Sequence, residues 1–277
     1  MMRLLLVAVV VAALGYLIWR RNARPVTTPP AESLPALPPP SDRVREILDE
    51  RVRLWLRLPE TLQDTLLPRI QEFLERIPFE GAHGFVVTDE MRTVIAAQAC
   101  LVTLGHAHYP FESLHGITVH PDEFVVEESE EDEATGVVTE GYRALSGQSH
   151  GSDRIVLSWR DVDDAQSRDD GYNVVIHETT HFLEHSHPGG DPAARAALED
   201  CFESLCDAVD RGEETLLDPY GAEDLTEFLA VAAEFFFERP VDLRERHPTL
   251  YVLLRDSFKL DPASWSPPEL THADESA

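Results

Sequence analysis

Asn173-Val-Val-Ile-His177-Glu178-Thr-Thr-His181-Phe-Leu-Glu184 is the stretch on which the class of this chain turns. On an α-helix, residues four apart project from one face, one turn above the other. His177 and His181 have that spacing, so their imidazoles can converge on one ion. Glu178 lies along the adjacent edge, placed to take a proton from a metal-bound water; this is the HExxH pattern of zinc peptidases. A catalytic zinc keeps one of its four positions open and lowers the pKa of water there to about 7. Two surface histidines on an ordinary helix would show the same letters. Against that stands the apolar setting of Val174, Val175, Ile176, Phe182 and Leu183. A buried His pair flanking a Glu needs partners.

The third ligand must come from elsewhere in the chain. His185 continues the ladder, but each four-residue step rises about 6 Å, so a third rung cannot reach the same ion. His187 stands six residues after His181, the spacing of metzincins, where a Gly breaks the helix and lets the last His swing back. Here that position holds Glu184, which resists the turn. A downstream helix offers a better donor. Glu227 and Glu234 lie seven apart among Phe228, Leu229, Val231 and Phe235, and a carboxylate in such company is costly to bury without a partner. Metal is one partner; an Arg or exposure to solvent is the other reading, above all for Glu234. Tyr220 precedes this helix, where its hydroxyl can stabilise the oxyanion formed when water attacks a peptide carbonyl.

The rest of the chain frames this site. Its 277 residues, 43% of them hydrophobic, are enough for one large core. Lys and Arg number 23 against 51 Asp and Glu, a net charge of −28, which argues against nucleic acid or an anionic membrane surface as the main partner. Of the three cysteines, Cys100 alone lies outside a helical stretch that holds Cys201 and Cys206, and an odd number without scaffold spacing argues against a disulfide framework. A buried structural role is expected of the latter two. Residues 4–19 carry no charge. Arg20, Arg21 and Arg24 follow them and only Arg3 precedes them, so a single transmembrane anchor over residues 1–22 with the domain in the cytoplasm is expected, a cleaved signal peptide being the rival. Seven prolines, from Pro25 to Pro40, make residues 23–41 an extended spacer.

Apolar residues then recur at helical spacing from Val44 to Leu58 and from Leu62 to Ile77, predicting two helices joined at Pro59, with a third over residues 90–104. Ile117-Thr-Val, Phe124-Val-Val, Val137-Val and Ile155-Val-Leu-Ser-Trp159 are short β-rich runs that predict a small sheet. The acidic run 127–133 reads as a solvated loop. Helices return after Gly171, and an acidic, Pro-containing tail is expected to be disordered over residues 267–277.

Several segments together resemble the Mlc titration factor A family of zinc peptidases. They are Gly147-Gln-Ser, Ile155-Val-Leu-Ser-Trp, Gly171-Tyr-Asn-Val-Val-Ile-His-Glu, Ala208-Val-Asp-Arg-Gly-Glu-Glu-Thr-Leu-Leu-Asp-Pro-Tyr220, Phe228-Leu-Ala-Val and Phe236-Phe-Glu-Arg-Pro240. The resemblance covers most of the chain beyond the spacer. It implies an α+β, zincin-like domain over residues 42–266, with a small sheet and a mostly helical remainder. It also implies a gluzincin-like site: His177, His181 and Glu227 on Zn2+, Glu178 as general base, Tyr220 as oxyanion stabiliser and Asp218 nearby. The expected substrates are peptides or proteins, cut in an aminopeptidase-like manner, and a transcriptional repressor is a partner by resemblance alone. Thr179-Thr180 and Glu184 depart from the family's usual residues. The alternative of another class is a catalytically silent, zinc-containing module that recruits a protein partner.

Overall fold

The computed structural model describes residues 42–107, 110–122, 124–131, 138–145, 147–150, 153–186 and 191–265. The expected anchor, the spacer, His187 and the tail lie outside these residues. Among the described residues no helix is long and apolar enough to cross a membrane.

Three helices open the domain: α1 (Asp42–Arg51), α2 (Arg53–Arg57) and α3 (Glu60–Arg76). The expected single helix ahead of Pro59 is thus broken, because Val52 takes an extended backbone with φ −113° and ψ 97°. Apolar spacing runs through the break, so periodicity does not reveal it. Strand β1 (Phe79–Gly81) follows, then α4 (Asp89–Val102), every residue of which is buried from Thr93 onward. A helix covered on all sides belongs in the core, and α4 packs against α1, α3 and the HExxH helix.

Strands β2 (Gly116–His120), β5 (Gly147–His150) and β6 (Arg154–Ser158) join β1 in one sheet of order β1-β2-β6-β5. The first three run parallel and β5 lies antiparallel on β6. Parallel neighbours need a crossover, and α4 supplies it between β1 and β2. Strands β3 (Phe124–Glu131) and β4 (Val138–Leu145) form a separate antiparallel hairpin, in register from Phe124 opposite Leu145 to Glu131 opposite Val138. The acidic stretch is therefore strand as far as Glu131, not the expected loop. A two-stranded ladder is held by main-chain bonds, which do not demand an apolar side-chain pattern. Trp159, expected to close a strand, instead opens α5 (Trp159–Ala165), because the Ser158 hydroxyl accepts the Asp161 amide and caps the helix.

The C-terminal half is helical: α6 (Val174–Ser186), α7 (Pro192–Asp210), α8 (Leu225–Glu238), α9 (Pro240–Arg246) and α10 (Pro248–Phe258). Cys201 and Cys206 lie on α7 half-buried, not buried as expected, while Cys100 is buried in α4. Aromatic rings link the layers: Phe73 of α3 meets Phe111 edge-on at 4.9 Å, and Phe111 stacks on Phe182 of α6 at 5.9 Å. Helix α6 packs on α8 at one side, on α4 at another, and against β5 and β6. Its burial is therefore a property of the whole core.

Gly171 admits the chain to α6. Its φ of +97° is one that side chains disfavour, and a Cβ there would come within 2.6 Å of the Phe235 ring. Gly171→Ala is accordingly expected to cost at least about 1–3 kcal/mol of stability for the backbone strain, with displacement of Phe235 in addition. Chemical denaturation measures it; an unchanged midpoint would show that the turn relaxes freely.

Candidate metal centre

Helix α6 begins where the Asn173 side-chain oxygen accepts the Ile176 amide at 3.2 Å. From there the helical spacing places His177 and His181 on one face, their ring centroids 4.6 Å apart. Helix α8 is fixed by Asp224, whose carboxylate accepts the amides of Thr226 at 2.7 Å and Glu227 at 2.9 Å. Glu227 consequently leaves the first turn of α8 in a set direction, towards α6.

These two helices bring three ligand atoms together. His177 Nε2 lies 3.0 Å from His181 Nε2 and 3.0 Å from Glu227 Oε2, and the third side of the triangle, His181 Nε2 to Glu227 Oε2, is 3.3 Å. Among the described residues this is the one group of His, Cys, Asp and Glu whose atoms could hold a metal ion. Ligands bound tetrahedrally at about 2.0–2.1 Å stand roughly 3.3 Å apart, so the triangle fits such an ion. The donor chemistry agrees. The other His177 nitrogen, Nδ1, pairs with Glu234 Oε1 at 2.7 Å, so once Nε2 gives up its proton its lone pair faces the His181 nitrogen and an anionic oxygen. Electron pairs crowded in this way need a cation among them.

A proton and a metal compete for that place. Burial works against a charged His177, but hydrogen bonds to Glu227 and Glu234 overcome it and raise its pKa to about 10. Burial likewise opposes the charge on Glu227, yet the His177 and His181 rings hold its carboxyl well below the ordinary range. Glu178 is 4% exposed. Burial pushes its pKa up to about 7, with the two imidazoles pulling the other way, and its Oε2 has no hydrogen-bond partner among the described residues. A buried carboxylate oxygen without a partner, electrostatically coupled to both imidazoles, marks Glu178 as a candidate for proton exchange.

Tyr220 sits on a short 3₁₀ turn (Pro219–Ala222) capped by the Asp218 carboxylate, which accepts the Tyr220 amide at 2.9 Å. Its ring centroid is 6.1 Å from that of His177. Asp218 itself is exposed. His185 is exposed as well, one turn beyond the triangle. Of the five residues expected at the site, His177, His181 and Glu227 bring their ligand atoms together, Glu178 follows His177 on the same buried helix, and the Tyr220 ring neighbours that of His177. Glu234 neither pairs with an Arg nor faces solvent; it is 3% exposed and bonded to His177. Sequence reasoning also passed over Asn173, Gln98 and Glu238, which are buried behind His177. A signal was present for Glu238: it repeats Glu234 one turn on, in an apolar helix.

Comparison with known proteins agrees with this geometry. The chain matches the glucose-regulated metallo-peptidase M90 family over residues 31–259. It is 32% identical over 233 residues to an uncharacterised protein of Synechocystis sp., covering 78% of this chain and 83% of that protein. It is 32% identical over 245 residues to Mlc titration factor A of Pectobacterium atrosepticum, covering 84% and 85% respectively. For Mlc titration factor A of Serratia proteamaculans the identity is 33% over 218 residues, 74% of this chain and 82% of the relative. The chain belongs to the M90 family of metallo-peptidases, and the family implies a metal ion.

The raised His177 pKa has a measurable consequence. In the metal-free protein its stabilising pairing is complete below pH 6.5, the ordinary His value, and is lost as pH rises through about 10. Metal must displace the proton that His177 holds at neutral pH. Metal uptake at pH 7.5 is therefore expected to release about one proton, a yield that declines as pH passes about 10. Calorimetry in two buffers of different ionisation enthalpy counts the protons; none released at pH 7.5 would contradict the assignment.

Proposed function

We propose that this member of the M90 family is a zinc-dependent peptidase in which His177, His181 and Glu227 hold the metal, Glu178 is the general base and Tyr220 the oxyanion stabiliser. The observation that carries the reading is the triangle of ligand atoms, 3.0, 3.0 and 3.3 Å on a side, with the buried, unpartnered Glu178 Oε2 on the same helix as His177. Two imidazoles and one carboxylate, with no thiolate, are a donor set of catalytic zinc sites. Zinc bound there supplies a Lewis acid, which acidifies water and polarises the substrate carbonyl.

The chain's own residues account for the remaining chemistry. Glu178 accepts a proton from the attacking water and passes it to the departing amine. A carboxylate whose pKa burial has moved to about 7 can do both at neutral pH. The Tyr220 hydroxyl donates to the oxygen on which negative charge develops, and the Asp218 cap fixes the turn that presents it. Glu234, through Nδ1, holds the His177 ring so that Nε2 faces the metal position. A centre that only held structure or recruited a partner would have no use for Glu178 or Tyr220. The family resemblance adds short peptides, cut from the amino end, as the substrate class.

Glu178→Gln is expected to keep stoichiometric zinc and to lower peptide hydrolysis by about 10²–10⁴-fold. Tyr220→Phe is expected to keep zinc and to lower kcat by up to about 10²–10³-fold, as for other oxyanion donors. Hydrolysis of a peptide library by the full chain, with and without a chelator, gives the baseline. Glu178→Gln with undiminished, chelator-sensitive activity would remove the assigned base, and an absence of any hydrolysis by the zinc-loaded wild type would favour the silent binding module.

A further inference from the structure

Behind His177 lies a group of buried polar side chains that the proposed chemistry does not touch. Asn173 and Gln98 are each 1% exposed, Glu234 is 3% and Glu238 4% exposed. Asn173 is their meeting point. Its backbone N–H donates to Glu234 Oε2. Its side-chain amide donates to Gln98 Oε1 at 2.6 Å and to Glu238 Oε1 at 2.7 Å, while its Oδ1 caps α6. The second Glu238 oxygen accepts from Arg53 Nη2 at 2.5 Å, and the Glu238 carbonyl from Arg57 Nη1 at 2.9 Å. The cation that balances Glu238 therefore comes from α2, 185 residues away in sequence.

A buried ion pair gives little net stability compared with apolar residues of the same size. Two buried carboxylates one helical turn apart, each oxygen accepting a hydrogen bond, make a poor stabiliser but a rigid one. The chain of contacts runs without a gap: Arg53, Glu238, the Asn173 amide, the Asn173 N–H, Glu234, His177 Nδ1.

We propose that Asn173, Glu238 and Arg53 are positioning residues for the metal centre, so that α2 is a working part of the site. Asn173 holds Glu234 and the start of α6 in one frame; Arg53 fixes Glu238 and, through it, the Asn173 amide. The His177 ring is then locked about its long axis with Nε2 on the metal position. The inference rests on the reading of His177 as a metal ligand.

The test measures the zinc Kd of the full chain by chelator competition, with the melting temperature of each metal-free protein, for wild type, Asn173→Ser, Arg53→Met and His177→Ala. Ser retains an oxygen that caps α6 but lacks the amide that reaches Gln98 and Glu238. Asn173→Ser, which keeps the backbone N–H on Glu234 but loses the amide behind it, is expected to weaken zinc binding several-fold, less than the about 10–100-fold that losing a direct outer partner of a metal ligand costs. Arg53→Met is expected to weaken it in the same direction by less. Variants that melt lower without metal yet bind zinc with wild-type Kd would show a merely structural network and overturn the inference. Should Asn173→Ser fail to fold, Arg53→Met, altered at a partly exposed side chain, decides by the same criterion. His177→Ala separates the two levels. If it keeps zinc, the metal-site reading fails; if it loses zinc while Asn173→Ser and Arg53→Met bind normally, only the positioning inference fails.

Discussion

Two imidazole nitrogens and a carboxylate oxygen crowd within 3.3 Å of one another where α6 meets α8. Left to themselves these electron pairs repel, and a cation among them reverses the sign of the interaction. Much of the surrounding architecture serves to keep them crowded. Asp224 aims Glu227 from the first turn of α8, Asn173 starts α6, and Glu234 takes the far side of the His177 ring. The apolar core supplies the force that holds these groups out of water. Phe228 and Phe236 of α8, Phe182 of α6 and most of α4 are fully covered.

The same burial tunes the chemistry. A carboxyl pressed into the core rises in pKa, and Glu178 does so to about 7. Glu227 experiences burial too, but two imidazoles outweigh it and keep the carboxylate charged. Where the two helices meet, burial and its neighbours therefore yield a carboxylate on α8 that stays charged beside two imidazoles and, on α6, an acid–base group poised near neutrality. The difference lies in which neighbours each oxygen touches: Glu227 has two ring nitrogens within 3.3 Å, whereas Glu178 Oε2 has no protein partner among the described residues.

The sequence discloses the parts of this site that rest on periodicity. The four-residue interval between His177 and His181 is a statement about one helix face, and Glu227 stands out as an acid in an apolar helical run. That Glu227 meets these histidines depends on how α8 crosses α6, which no local pattern encodes; family resemblance supplied it. Glu234 was visible as a buried carboxylate without a visible partner, since its partner is 57 residues away. Asn173 and Gln98 gave no signal, because a neutral polar side chain reads alike on a surface or in a buried network. In the fold, helices and the core strands follow hydrophobic spacing. The break at Val52 and the strand character of Glu127 to Glu131 do not, since each is set by backbone geometry and main-chain pairing.

The most direct test is the coordination shell of the metal itself. X-ray absorption at the zinc edge on the purified full chain reports the identity and distance of the atoms bound. One zinc per chain is expected, with only nitrogen and oxygen neighbours at about 2.0–2.2 Å, two imidazoles among them, and loss of that signal in Glu227→Ala. A sulfur neighbour at about 2.3 Å, a third imidazole retained in Glu227→Ala, or no bound metal would contradict the assignment.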